Sequence, residues 1–486
     1  MSKSVLCFDL GASSGRAMLA ELNEKKIKLT EVHRFKNRGV PVNGTLYWDI
    51  LSLYNEIKIG LVNAEKAGGF MSVGIDTWGV DYGIIDKKGF LIGNPIQYRD
   101  KRTNGMLDEA DKLIGLKKLY SLTGNQLMDI NTAFQLLSDK INRPYVLENG
   151  AVFLLIADLL GYMLTGIIST EMSAASTTQL FNPNKLEWSL DVAQALGIPA
   201  HLFPKIINSG EIKGELSKNL CCELNIPTAK LISVCGHDTQ CAAFATPANE
   251  KDFVFLSCGT WSLLGTILDR PLINEKTAQF NITNELGYGG KTTFLKNITG
   301  LWLVQETKAF LEANGENITF ADLEAQARAA DYFTAFIDTD AEEFFVSGDI
   351  PLRVRESCIK TGQAVPQTLG EVMRTIYLSL AMKYRSAFEQ ISECTGKKYC
   401  NIYMLGGGTK DRLLCSLTSD VCGVNVIAGP IEATVIGNAA IQFRSCGAVE
   451  NESMISDITR NSEELKTFVP QRNYDNEYFE FKRMFQ

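Results

Sequence analysis

The sequence predicts an α/β protein of two domains, and three observations carry that prediction. Strand patterns alternate with helix patterns along most of the chain. Two stretches, VLCFDLGASSGRAMLAEL near the start and FVFLSCGTWSLLGTIL near the midpoint, share one layout of apolar run, Gly/Ser/Thr turn and apolar run. A chain of 486 residues is also too long for a single hydrophobic core. The polar turn AFATPANEK (243–251) interrupts the apolar pattern, so the expected division is 1–246 and 247–486.

Each element follows from its pattern. Val5–Leu10 is an apolar run read as a strand, and Arg16–Leu22 and Lys26–Val32, joined by Asn23–Lys25, predict two antiparallel strands. Trp48–Lys66 has helical spacing at Ile50, Leu53, Tyr54, Ile57 and Leu61. Ser72–Thr77 predicts a strand that stops at Trp78-Gly79, and residues 105–165, including Val152–Leu164, read as largely helical. In the second half DFVFLSCGTWSLLGTIL is strand, Leu369–Cys394 a long helix, and YCNIYMLGGG a strand followed by a helix from Asp411. VNVIAGPIEATVIGNAAIQF is a strand–turn–helix unit, and the tail after Gly447 reads as polar and irregular at first, with no chemistry of its own.

Composition narrows the function. Hydrophobic residues make up 45% and charged residues 21%, as in ordinary globular proteins. A net charge of −8 argues against nucleic acid as a partner, because phosphate-backbone binding needs a basic face. No apolar run reaches membrane-spanning length and no apolar segment of a secretion signal follows Met1–Ser4, so the expected location is the cytoplasm. Twelve cysteines without a CxxC pair, beside only three histidines, read as reduced thiols rather than disulfides or a zinc site.

The chemistry lies in the turns. FDLGASSGR (8–16) lacks the lysine of a Walker A loop, and the run after it reads as a strand rather than the helix of a dinucleotide fingerprint. It remains a strand–turn–strand whose successive N–H groups can form an anion-binding concavity. The acid Asp9 at its lip makes sense where Mg²⁺ intervenes. A Gly/Ser hairpin in which Asp9 caps its own turn is the other reading. VCGHDTQCAAF (234–244) puts His237-Asp238 ahead of a small-residue helix, where Asp238 can accept a substrate proton or simply cap the helix. LSCGTWS (256–262) is a second glycine–hydroxyl turn, suited to phosphates. MLGGGTKDRLL (404–414) has three glycines that let a flat ring approach the backbone, or that serve only as a strand-to-helix turn. IDTWGVDYGIID (75–86) sets Asp76 and Asp81 on either side of a Trp-Gly turn, a combination found both in sugar sites and in ordinary buried turns. Two phosphate-type turns, an intervening His-Asp and a late GGG point together to an ATP-dependent phosphotransferase with two actin-like lobes. An actin-like ATPase that acts as a conformational switch is the alternative outside sugar chemistry.

On the stretches FDLGASSGR, GIDTWGVD, PIQYRDKRTNG, TTQLFN, GHDT, SCGTWSL, LKNITGLWLVQE, LGGG and AGPIEA, the sequence resembles the FGGY carbohydrate kinases over essentially its full length. The resemblance implies two actin-like (ribonuclease H-like) ATPase domains flanking a catalytic cleft, and phosphoryl transfer from MgATP to a ketose. TWGVD, YRDKRTNG and KNITGLWLVQ mark one branch of the family. By the same resemblance Asp238 is the catalytic base, with His237, Thr239, Gly79 and Asn297 at the sugar. Ala12, Ser13, Ser14, Gly15, Arg16, Thr260, Gln305 and Gly407 match ATP-binding positions, and Asp9 the acid that faces Mg²⁺ through waters. The chain departs from the pattern at three places. Thr409-Lys410-Asp411 follows GGG where an Asn is usual two residues on, EATVIGNAA replaces a more common Gly-Ala pattern, and Cys258 stands where Ser is frequent.

Overall fold

The computed structural model describes residues 4–485, and the chain divides into two compact units. The first contains the chain through Pro247 together with Ile267–Phe294 and Ala433–Ser462; the second contains Ala248–Thr266, Leu295–Glu432 and the chain from Glu463. The units are therefore interleaved in sequence. The expected division at 246/247 differs from this, because two segments of the second half return to the first unit. Those returns depend on packing partners hundreds of residues away, which no local composition shift announces.

The first unit is built around Ser4–Leu10, a central strand that is apolar almost throughout because both of its faces are covered. It pairs antiparallel with Ser14–Asn23, with Asp9 opposite Arg16, and that strand pairs in turn with Lys26–Lys36. On its other side Ser4–Leu10 runs parallel to Ser72–Thr77, which sets Asp9 beside Asp76. Lys230–Ile232 extends the sheet in parallel, and Ile212–Glu215 closes it antiparallel. The side chains alternate between faces. Val5 and Cys7 pack with Val435, Ile436 and Ala439 of the helix Ala433–Ser445. Phe8 instead fills the space left by Gly60 on the helix Ile50–Lys66, where a Cβ would lie 2.6 Å from its ring. Asp49 caps that helix by accepting the Ser52 N–H at 3.1 Å.

The second unit repeats the arrangement. Val254–Cys258 pairs antiparallel with Trp261–Leu268, which neighbours Thr292–Thr299. Val254–Cys258 also runs parallel to Asn401–Leu405, followed by Asn425–Ala428 in parallel and Lys466–Phe468 antiparallel. The long helix Leu369–Thr395 is capped by a Thr368/Glu371 capping box and packs on the helices Phe320–Ala329 and Arg412–Cys422.

Two local expectations are corrected. Trp48 ends a short strand, Thr45–Trp48, and the helix begins only at Ile50. Within the stretch read as helical, Gly150–Leu155 is a strand paired with Tyr82–Asp86, and helix resumes at Ile156–Thr165. The tail is irregular through residue 452, as its polar start suggests, and then forms helices Ser453–Ser462 and Asp475–Phe485 around the strand Lys466–Phe468. Among the described residues no helix is long and apolar enough to cross a membrane.

Candidate active site

In the first unit the expected residues gather at the ends of three neighbouring strands. Ser4–Leu10 delivers Asp9 and the turn Ala12–Arg16, Ser72–Thr77 delivers the Trp78-Gly79 turn, and the segment after Lys230–Ile232 delivers His237-Asp238-Thr239. A bridge between Thr77 and His237, with the Thr77 N–H bonded to the Gly236 carbonyl at 3.0 Å, ties the second and third of these together.

The first turn is closed by its own backbone: the Gly11 N–H donates to the Ser14 carbonyl at 2.9 Å, and the Asn37 N–H to the Ser13 carbonyl at 3.0 Å. The N–H groups of Ala12 and Ser13 have no acceptor among the described residues, which is the condition an anion-binding turn requires. Gly15 is needed for packing, because a Cβ there would sit 2.3 Å from the Phe35 ring. Arg16 donates to Asp9 at 2.5 Å. Beside Asp9, Asp76 is buried; Oδ2 accepts from Asn438 at 2.6 Å, and Oδ1 has no hydrogen-bond partner among the described residues. Burial first, then the charges of Asp9 and Asp238, hold the Asp76 carboxyl well above the ordinary range. Of the pair, Asp9 is the one partly open to solvent, at 13%, and a single carboxylate there suits a hydrated divalent cation, which keeps several of its waters.

The GHD segment is set by carboxylates. His237 caps the helix Asp238–Phe244, so Asp238 is its first residue rather than its cap. Glu171 Oε2 accepts the Gly236 N–H at 2.8 Å along with the Ser173 and Ala174 N–H groups, while Ser173 Oγ accepts the His237 N–H at 3.3 Å. Lys213 pairs with buried Asp158 at 2.7 Å, and Asp158 accepts the Glu171 N–H at 3.1 Å. Asp238 keeps 30% of its side-chain surface exposed, whereas His237 keeps 11%. Burial raises the Asp238 carboxyl above its ordinary value; the neighbouring His237 opposes the rise and Asp9 adds to it. The helix behind it has small residues because another helix crosses it closely: a Cβ on Gly437 would lie 1.9 Å from the Cys241 carbonyl oxygen. This accounts for the glycine in EATVIGNAA, and the asparagine after it is the Asp76 partner.

The Trp-Gly turn is held from below. Asp81 Oδ2 accepts from Trp48 Nε1 at 2.6 Å, Trp78 Nε1 at 3.0 Å and the Tyr98 N–H at 3.1 Å; Oδ1 accepts from Gln135 at 3.0 Å. The protein itself thus occupies both oxygens, and burial pushes the carboxyl up to about 6 against those hydrogen bonds. Asp81 orients the Trp48–Trp78 pair, whose rings meet tilted at 40°, rather than offering a free acid. A Cβ on Gly79 would approach Thr177 at 3.2 Å, and Thr177 in turn accepts the Val80 N–H.

In the second unit Thr260 donates to Gln305 at 3.1 Å, so these two expected residues meet. The Gly259 N–H is used within its own turn, on the Trp261 carbonyl, while the Thr260 N–H has no acceptor among the described residues. The GGG segment packs on the same turn: a Cβ on Gly408 would lie 2.3 Å from Cys258 Sγ, whereas Gly407 is exposed with open space around it. A short 3-10 turn, Gly407–Lys410, precedes the helix Arg412–Cys422, which Asp411 caps. Burial pushes the Cys258 thiol up to about 11, so it stays a neutral thiol. Asn297 lies half-buried on Thr292–Thr299.

Sequence reasoning missed Glu171, Glu285 and Asn438. Each is a polar residue in a small-residue or apolar segment, and that incongruity was the only local signal.

Two α/β units, each opening on a strand, a glycine turn with unused N–H groups and a returning strand, define the two-domain sugar-kinase fold. Solved structures agree: a xylulose kinase from Lactobacillus acidophilus superposes with a TM-score of 0.79 over 100% of this chain and 96% of its own at 15% identity. One from Rhodospirillum rubrum superposes at 0.77 over 99% and 98%, with 17% identity. The N-terminal domain model of the FGGY family of carbohydrate kinases matches residues 4–245, and its C-terminal domain model matches 254–446. A rhamnulokinase of Bacteroides thetaiotaomicron is 36% identical over 99% of both chains, and one of Enterococcus faecalis 38% identical over 92% of this chain and 90% of its own. The chain belongs to the FGGY family of carbohydrate kinases, and it is a sugar kinase.

Proposed function

We propose that the enzyme transfers the γ-phosphoryl group of MgATP to the 1-hydroxyl of L-rhamnulose, giving L-rhamnulose 1-phosphate and ADP. The substrate rests on the full-length relatives, which are rhamnulokinases. The reaction type is carried by Asp238, the most exposed of the three neighbouring acids Asp9, Asp76 and Asp238. The bond from the sugar O1 to phosphorus forms as the bond from phosphorus to the β-phosphate oxygen breaks, and the hydroxyl proton passes to Asp238. His237, Thr239, Gly79 and Asn297 orient the sugar. The N–H groups of Ala12 and Ser13, with Ser14, Gly15, Arg16, Thr260 and Gln305, hold the phosphates, and Gly407 leaves room for the adenosine. Asp9 would hold Mg²⁺ through the cation's waters. When bound, the cation offsets the charge on the transferring phosphoryl oxygens. We place the enzyme in the cytoplasm, where ATP is available.

A coupled assay of ADP release across L-rhamnulose, L-fuculose and L-xylulose tests the substrate. L-Rhamnulose should give the highest kcat/KM, and a clear preference for either of the other two overturns the assignment. In the same assay Asp238→Asn should lower turnover by roughly two to four orders of magnitude while nucleotide binding is retained. Turnover at the parental rate removes Asp238 from the mechanism.

A further inference from the structure

Glu285 lies on the strand Thr283–Leu286, every residue of which is buried, and only 6% of its side chain is exposed. Its Oε2 is 2.9 Å from His237 Nδ1 and accepts from Gln240 Nε2 at 2.9 Å. Gln240 is itself fixed by Thr293, whose hydroxyl donates to Gln240 Oε1 at 2.5 Å. The other ring nitrogen, His237 Nε2, is 3.5 Å from Asp238 Oδ1. An ionised carboxylate only accepts, so the proton on Nδ1 belongs to the bond with Glu285. A neutral ring would then turn its Nε2 lone pair toward Asp238, and a second proton there converts that repulsion into attraction.

We propose that Glu285 is a positioning residue for the catalytic base: it holds His237 as an imidazolium against Asp238, and so keeps Asp238 ionised and ready to take the sugar proton. The proposal rests on Asp238 being the base in ketose phosphorylation. The charged groups that face His237 are all acids: Glu285 on its strand, Asp238 on the helix that His237 caps, and Glu171 at the start of Met172–Ser176. Burial alone would drive the proton off His237, but the charges of Glu285, Asp238 and Glu171 reverse this and raise its affinity above the ordinary value. The resulting cation pulls the Asp238 carboxyl down against the effect of its own burial.

The test is the pH profile of kcat/KM for L-rhamnulose in the wild type, Glu285→Gln and Glu285→Asp. Glutamine keeps the shape and an acceptor for Nδ1–H but removes the charge. With it the acidic limb should move up and the alkaline limb down by about one pH unit each, narrowing the bell. Glu285→Asp should restore much of the width. A Glu285→Gln profile with both limbs in place, lowered evenly or unchanged, overturns the proposal. A wild type inactive on ketoses, or a fully active Asp238→Asn, fails the functional reading instead. Independently of any Glu285 variant, the imidazole resonances of histidine-labelled wild type can be followed by NMR, since the chain has only three histidines and His33→Asn and His201→Asn assign two of them. The His237 ring should lose its second proton only above the free-histidine value of about 6.5; titration at or below that value overturns the proposal.

Discussion

The two glycine turns share a topology and differ in what stands behind them. In the first unit the turn Gly11–Ser14 rises from Asp9, which faces Arg16 across the hairpin and Asp76 on the parallel strand. In the second the corresponding strand ends on Cys258, a neutral thiol with Ser262 and Tyr384 as neighbours, and the parallel strand contributes Leu405 after Met404. One hairpin design thus serves two kinds of charge. The acid-backed turn suits a cation carried with its anion, and the neutral one suits bare phosphate oxygens on backbone N–H groups.

Among changes within the two turns, removing the acid that distinguishes the first should have the largest effect on turnover. Asp9→Ala should cost about 10- to 100-fold in turnover, as for a residue that acts on a metal through its waters. Circular dichroism should be unchanged, and raising Mg²⁺ should restore part of the rate; full activity at low Mg²⁺ would remove the contrast between the turns. Next come the glycines that allow each turn to pack. Gly300 donates to the Thr260 carbonyl at 3.2 Å, and a Cβ there would lie 2.6 Å from the Trp261 carbonyl carbon and 2.8 Å from the Gly259 oxygen. Gly15 faces the Phe35 ring instead. Backbone cannot move aside and a ring can, so Gly300→Ala should lose about 3 kcal/mol or more and Gly15→Ala about 1–3 kcal/mol in denaturant unfolding. The reverse order would show that the second turn is the looser one. The smallest effect is electrostatic. Asp76 binds its proton more tightly folded than unfolded, so its contribution to stability is full below about pH 4 and is lost as pH rises above that value. Asp76→Asn should flatten the fall in stability above pH 4, and a slope identical to the wild type would mean that Asp76 stays ionised throughout.

What could be read from the sequence was local. Ser72–Thr77 and the helix from Leu369 stand out because period and end signals lie within a few residues. Gly150–Leu155 was hidden because a short apolar run does not separate a buried strand from the helix that follows it. In the site, FDLGASSGR and GHDT were visible as turns, whereas Glu285 and Glu171 take their meaning from His237 and Gly236, 48 and 65 positions away. Of the two readings open for Asp81, the buried turn holds: its oxygens accept from two tryptophans and a backbone N–H rather than waiting for a ligand.

The return of Ala433–Ser462 to the first unit bears on how the chain is made. The helix Ala433–Ser445 covers Val5 and Cys7, and its Gly437 seats the helix that begins at Asp238. A nascent chain that has emerged only as far as Pro247 therefore shows bare apolar strand to the ribosome surface and to any chaperone nearby. Vectorial, domain-by-domain maturation is closed to this enzyme, because its first unit is complete only once Ala433–Ser462 has followed the second unit's strands out.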